Sequence, residues 1–191
     1  MAPPRPAAPA LLVVAAFSRH GDLLARARAR LEGRFGPVAL ASPTYDFVQT
    51  AYYERSMGAG LRKQLWAFHQ LFDPETLPDV KRHSNALEQE LAAGWEEARP
   101  VNLDPGYLVL GKFVLATTKD QAHRVYLRDG IFAEVTLHFR AGVFQPWPWT
   151  YADYRLDEVL TFLGEAREYY RNAVRCQPSA QPPPGVLNAA D

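Results

Sequence analysis

The chain has 191 residues, 48% of them apolar and 22% charged, enough for one well-buried core in an ordinary globular balance. Lys plus Arg equals Asp plus Glu at 21 each, so no basic excess marks a nucleic-acid binder. The single cysteine, Cys176, excludes an intramolecular disulfide and a Cys-based zinc site and fits a reducing cytoplasm.

Residues 1–10 are Pro- and Ala-rich and read as a disordered tail, as do residues 176–191; residues 11–175 read as one domain. Leu11 to Phe17 is a short, continuous apolar run with β-branched residues at its middle, the signature of a strand covered on both faces. The prolines ahead of it and the lone Arg5 argue against a secretion signal, and no apolar run approaches membrane-spanning length. The expected location is cytoplasmic. Ser18 reads as the cap of a helix with Leu23, Leu24, Ala27, Leu31 and Phe35 on one face, ended by Gly36-Pro37.

Val38 to Val48 reads as extended and broken at Ser42-Pro43, followed by the aromatic connection Tyr52 to Gly58. Leu61, Leu65, Phe68 and Phe72 fall at helical spacing, which predicts a helix over Gly60 to Phe72. Asp73-Pro74-Glu75 is a helix start, with Asp as cap, Pro in the first turn and Glu matched to the dipole. The helix it opens carries Leu77, Val80, Ser84, Leu87 and Leu91 at steps of three and four. His69 and His83 lack metal-ligand spacing and read as structural or surface histidines.

Asn102 and Asp104 alternate with Val101 and Leu103, so both polar side chains can share a face just before a turn at Asp104-Pro105-Gly106. Tyr107 to Ala116 is almost wholly apolar; helix is slightly favoured over strand. After Thr117-Thr118-Lys119-Asp120 the pattern turns to strands: His123 to Leu127, a turn at Arg128-Asp129-Gly130, then Ile131 to Arg140. In the latter, Glu134, Thr136 and His138 are expected on one face and Val135 and Leu137 on the other. A third strand ends at Pro146, and Trp147 to Tyr151 is placed across an edge or the core mouth. A last helix starts near Asp157, with Val159, Leu163, Ala166, Tyr170 and Ala173 as its buried stripe. The fold class expected is α+β: a mixed or antiparallel sheet with a C-terminal meander, packed by three to four helices.

Six blocks carry a resemblance: FGP (Phe35 to Pro37), YYERSMG (Tyr52 to Gly58), VNLDPGYL (Val101 to Leu108), LATTKDQAHRVYL (Leu115 to Leu127), DGIFAEVTL (Asp129 to Leu137) and PWTYADYR (Pro148 to Arg155). In order and spacing they resemble a prokaryotic domain-of-unknown-function family, number 4416, over Leu11 to Val174. The resemblance implies a bacterial cytoplasmic origin and brings no activity, substrate or catalytic residue with it.

The residues themselves exclude a standard GTPase, because no Gly-x-x-x-x-Gly-Lys-Ser/Thr loop follows the first strand. They suit a different anion site. Thr117, Thr118 and Lys119, with Asp120 beside them, offer hydroxyl, backbone and ammonium donors to a phosphate, and Arg124 could add a bidentate clamp. Asp104, Glu134 and His123 are the candidates for base or metal work, with Asn102 orienting a ligand. Against this stands a structural alternative, in which Arg124 simply pairs with Glu134 across the hairpin. A divalent metal drawing its ligands from His123, His138, Asp104 and Glu134 is a further option. Glu134 and His138, four residues apart at roughly 13 Å on a strand, are too distant to share one ion directly. The functional expectation is a binder of a phosphorylated small molecule or nucleotide, with hydrolase or transferase activity left open. The competing reading is a non-catalytic adaptor that uses the Trp147 to Tyr154 aromatics, which suit interface hot spots.

Overall fold

The computed structural model describes residues 3–48 and 53–176, which leaves Tyr52 and the Pro-rich segment after Cys176 outside the described residues. The nine strands are β1 (Ala10–Ser18), β2 (Val38–Ala41), β3 (Tyr45–Asp46), β4 (Arg62–Phe72), β5 (Asn102–Val109), β6 (Lys112–Thr117), β7 (Val125–Arg128), β8 (Ile131–Arg140) and β9 (Val143–Pro146). Among the described residues four α-helices accompany them: α1 (Gly21–Phe35), the single turn α2 (Glu54–Met57), α3 (Leu77–Ala92) and α4 (Asp157–Arg175). The α+β expectation holds: one sheet in the order β2-β4-β1-β5-β6-β8-β7, with β3 beside β4 and β9 beside β8.

The strands pair antiparallel. The chain order β1-α1-β2-β4-α3-β5 within a β5-β1-β4-β2 arrangement is a split β-α-β-β-α-β unit, which the β6–β9 meander extends.

β1 is buried along its whole length because helices cover the sheet on both sides. Leu11, Val13 and Ala15 join the core beneath α4, while Leu12, Val14 and Ala16 join a second core with α1 and α3. Tyr170 on α4 donates its hydroxyl to the Pro9 carbonyl at 2.8 Å, which ties down the residue ahead of β1. Ser18 is the last residue of β1 and not a helix cap; its Oγ donates to the Pro100 carbonyl at 2.6 Å.

Three stretches depart from expectation. Gly60 to Phe72 is not a helix, since Arg62–Phe72 forms β4 at the middle of the unit. Leu61, Leu65 and Phe68 are buried, but so are Lys63, Trp66 and Ala67, and burial on both faces erased the period of two that would have marked a strand. Tyr107 to Ala116 is the β5–β6 hairpin, turning at Leu110 and Gly111 between the paired Val109 and Lys112. Asp104-Pro105-Gly106 is not a turn but lies inside β5.

The proline is tolerated there because the sheet parts beside it. β5 pairs with β6 only from Gly106, opposite Leu115, onward; before that point β5 keeps β1 alone, while β6 runs on beside β8 to Thr117. Leu103, two residues earlier in the same strand, sends its N–H to a side chain of α3 rather than to β1. Pro105 faces the same way, so its missing N–H forfeits no ladder bond. The two strands converge sharply at Gly106, where a Cβ would lie 2.3 Å from the Val114 carbonyl oxygen.

The other expectations hold more closely. The Asp73 carboxylate accepts from the Glu75 N–H at 2.9 Å, and Leu77, Val80, Ser84, Leu87 and Leu91 are buried on α3. The β7–β8 turn places Asp129 and Gly130 at φ 54° and 74°, as a two-residue Asp-Gly hairpin requires. α4 buries Val159, Phe162, Leu163, Ala166 and Tyr170. In β8, however, strict alternation fails. Phe113 pairs with Leu137 but Val114 with Val135, a bulge that puts Glu134 on the α4 side with Leu115 and His138 on the opposite side with Lys112.

Candidate functional site

The parting of β5 from β6 opens a fissure of about 380 Å³ in the sheet, bounded by α3, the Tyr151–Tyr154 turn and the loop after β6. Leu103 lies at its edge, where β6 has departed and the backbone needs other partners. α3 supplies them. Glu88 Oε1 accepts the Leu103 N–H at 2.6 Å, and Lys81 Nζ donates to the Leu103 carbonyl at 2.9 Å. These two charged residues, both buried, stand in for the missing strand.

The same ammonium meets Asp104 Oδ1 at 3.0 Å, and Asn102 Nδ2 donates to Asp104 Oδ2 at 2.7 Å. Burial pushes the Asp104 carboxyl up, but the Lys81 and Lys63 ammoniums and the two hydrogen bonds outweigh it and hold the group below its ordinary value. Arg99 donates to Asn102 Oδ1 and pairs with Glu88 Oε2 at 2.9 Å. Burial pushes Glu88 up against the pull of Lys81 and Arg99.

Deeper in the fissure, Lys63 of β4 meets Asp153 at 2.6 Å. Its ammonium lies 4.5 Å from the Tyr154 ring centroid, 5.0 Å from Phe47 and 5.5 Å from Phe17, a cation held against three aromatic rings. Phe17, Phe47 and Tyr53 pack on one another with centroids 4.8 to 5.9 Å apart and form one wall. The Tyr154 hydroxyl is buried and has no hydrogen-bond partner among the described residues.

At the mouth, Arg124 donates through Nε to Glu134 at 2.8 Å, through Nη1 to the Lys119 carbonyl at 2.9 Å and through Nη2 to the Tyr151 hydroxyl at 2.9 Å. The ion pair of the structural alternative is therefore present, and Arg124 acts as a brace between hairpin, loop and turn. His123 Nε2 sits 3.2 Å from Glu134 Oε2, and its ring begins a ladder that stacks on Trp149 and Trp147 and ends with His138 tilted against Trp147.

Asn102, Asp104, Thr117, Thr118, Lys119, Arg124 and Glu134 thus border one cavity. Asp120 is exposed outside it, and His123 does not line it but contacts the lining residue Glu134. Among the described residues, no three His, Cys, Asp or Glu side chains gather where they could hold a metal ion. Asp104, Glu134 and Asp153 each carry a cationic partner instead, and the bulge separates His138 from Glu134. No helix among the described residues is long and apolar enough to cross a membrane.

Sequence reasoning missed Lys63, Lys81, Asn85, Arg99, Tyr151 and Asp153 as lining residues. A signal existed for two of them. Lys81 and Glu88 interrupt the apolar stripe of α3 seven residues apart, where a solvated charge would not be placed. Lys63 alternates with the buried Leu61 and Leu65, which becomes visible only once the segment is read as a strand.

No curated protein and no solved structure matches the chain. A family model does, under the description Domain of unknown function (DUF4416), over residues 8–170. With that match spanning nearly every described element, from the start of β1 into α4, the chain belongs to the DUF4416 family.

Proposed function

We propose that the fissure binds a phosphorylated small molecule or nucleotide without a P-loop. The observation that carries this reading is the charge of its lining: five cationic side chains, Lys63, Lys81, Arg99, Lys119 and Arg124, against three carboxylates. The volume lies within the range of small-molecule sites, about 300–1,000 Å³. Lys119, with the hydroxyls of Thr117 and Thr118, is the natural phosphate end, an ammonium and two hydroxyls on one stretch of the lining. Hydrolysis or transfer would be a further step at the same place, drawing on the lining carboxylates Asp104 and Glu134. A cytoplasmic setting fits such a ligand.

A thermal-shift screen against nucleotides, phosphorylated metabolites and divalent cations tests the reading. A ligand at a hundred times its dissociation constant stabilises by about 2.7 kcal/mol. The shift should disappear in Lys119→Ala and Asp104→Ala variants; a shift that both variants retain would move the site elsewhere.

A second reading is an adaptor surface on the aromatic segment. It is favoured by the exposure of Trp149 and Tyr151, 37% and 47%, although Tyr154 is buried at 2%. Iodide quenching that a partner protein suppresses would support it.

A further inference from the structure

Among the described residues, two lining residues of the fissure, one buried and one half-buried, carry polar groups without a protein partner. The Tyr154 hydroxyl is buried and makes no hydrogen bond among the described residues. Tyr154 lines the cavity together with Asp104, Asp153 and Glu134; burial, then the carboxylates of Asp153 and Asp104, the Tyr45 hydroxyl and Glu134 raise its pKa well above the ordinary value. An unpaired buried hydroxyl is costly unless something completes it. Asn85, one turn along α3 from Lys81, also lines the cavity, and its carboxamide has no partner among the described residues. A carboxamide presents one acceptor and a pair of donors in a fixed plane, the complement of an amide-like or amidine-like edge. The wall of Phe17, Phe47 and Tyr53 borders the same cavity and offers it a planar apolar surface. Cations and hydroxyls account for a phosphate; they do not account for this corner.

We propose that the ligand carries a nucleobase or a similar planar heterocycle, whose polar edge is read by the Tyr154 hydroxyl and the Asn85 carboxamide while its ring lies against the aromatic wall. This rests on the small-molecule reading above and adds what that reading leaves open: the class of compound that carries the phosphate. Bases are recognised in this way elsewhere, by hydrogen bonds to one edge and aromatic contact on one face. Tyr154 and Asn85 are the specificity-determining residues, and Lys119 the phosphate-end residue.

The test is isothermal titration of the full chain with adenosine, guanosine, cytidine and uridine, with their 5′-monophosphates, and with ribose 5-phosphate and pyrophosphate. At least one nucleoside should bind. Tyr154→Phe and Asn85→Ala should each weaken it by about tenfold, the worth of one hydrogen bond to a buried group. Pyrophosphate and ribose 5-phosphate should be unaffected by either change. Tyr154→Phe removes only an unpaired hydroxyl and keeps the ring beside Lys63, so its melting temperature should stay level or rise. A fall in melting temperature would assign the hydroxyl a structural role and overturn the proposal. So would ribose 5-phosphate binding as tightly as every nucleoside monophosphate, an outcome that spares the phosphate reading. Nucleosides that bind as well as their monophosphates would do the reverse, keeping the base-reading corner and removing the phosphate end. Binding of no member of the panel would overturn both.

Discussion

Lys63 and Asp153 are 90 residues apart in sequence and meet at 2.6 Å, with side chains 3% and 5% exposed. They fasten the turn ahead of α4 to strand β4 across the fissure. Removing one partner of a buried pair leaves an uncompensated charge and costs about 3–5 kcal/mol, whereas replacing both with apolar groups of similar size is often neutral. Lys63→Met should therefore lower unfolding free energy by about 3 kcal/mol. Lys63→Met with Asp153→Leu should recover most of it. Urea denaturation of the single and double variants measures both.

Gly106 is the point at which the sheet parts, and its added Cβ would meet a backbone oxygen that cannot move aside. Gly106→Ala should cost at least about 3 kcal/mol, the upper end of overpacking penalties. Gly111, in the turn of the same hairpin, has nothing within 4 Å of an added Cβ and serves as the control. Gly111→Ala should stay within about 0.5 kcal/mol of wild type, as surface substitutions do. Thermal melts of the two variants would distinguish the fissure from a general intolerance of the hairpin.

Asp104 and Glu88 should give the stability profile opposite slopes. The Asp104 carboxyl is held below its ordinary 3.8, so its contribution is fully present above that value and is lost as pH falls through the lower folded one. Glu88 is raised above its ordinary 4.5, so its contribution is fully present below that value and is lost as pH rises through the folded one. The wild-type advantage over Asp104→Asn should shrink on going from pH 5 toward pH 2. The advantage over Glu88→Gln should grow on going from neutral pH down to pH 4. Chemical denaturation across that range reads both.

Arg124 braces three acceptors at once, and both its side chain and that of Glu134 are 2% exposed. Arg124→Ala should cost about 3–5 kcal/mol by stranding Glu134. Arg124→Lys should recover little, because a single ammonium cannot reproduce the planar fork that reaches Glu134, the Lys119 carbonyl and the Tyr151 hydroxyl. Tryptophan emission should shift in both variants, since His123 links Glu134 to the Trp149 ring stacked on it. An unchanged emission spectrum would mean that the ring ladder stands independently of the brace.

What could be read from the sequence follows local rules. β1, α1, α3 and α4 announced themselves through runs or stripes that need no knowledge of neighbours, and the Asp129-Gly130 turn through backbone chemistry alone. β4 and the β5–β6 hairpin did not, because strands covered by helices on both sides lose the alternation that identifies a strand. Pro105 misled for a related reason: a proline inside a sheet is explicable only when the partner strand is known to have left. The grouping of Asn102, Asp104, Thr117 and Glu134 was legible because these residues sit on adjacent strands close in sequence. Lys63 and Asp153 come from distant segments, and only the sheet order brings them there.

The substitution of helix side chains for a strand at Leu103 also bears on how this chain can vary in length. Lys81 and Glu88 reach one residue's carbonyl and N–H because they sit seven positions apart, close to two full turns. Inserting or deleting a single residue between them would rotate one relative to the other by about 100° and strip Leu103 of a partner. Homologous chains should therefore tolerate gaps in the hairpin turns and between α2 and β4, while the stretch from Lys81 to Glu88 keeps a fixed length.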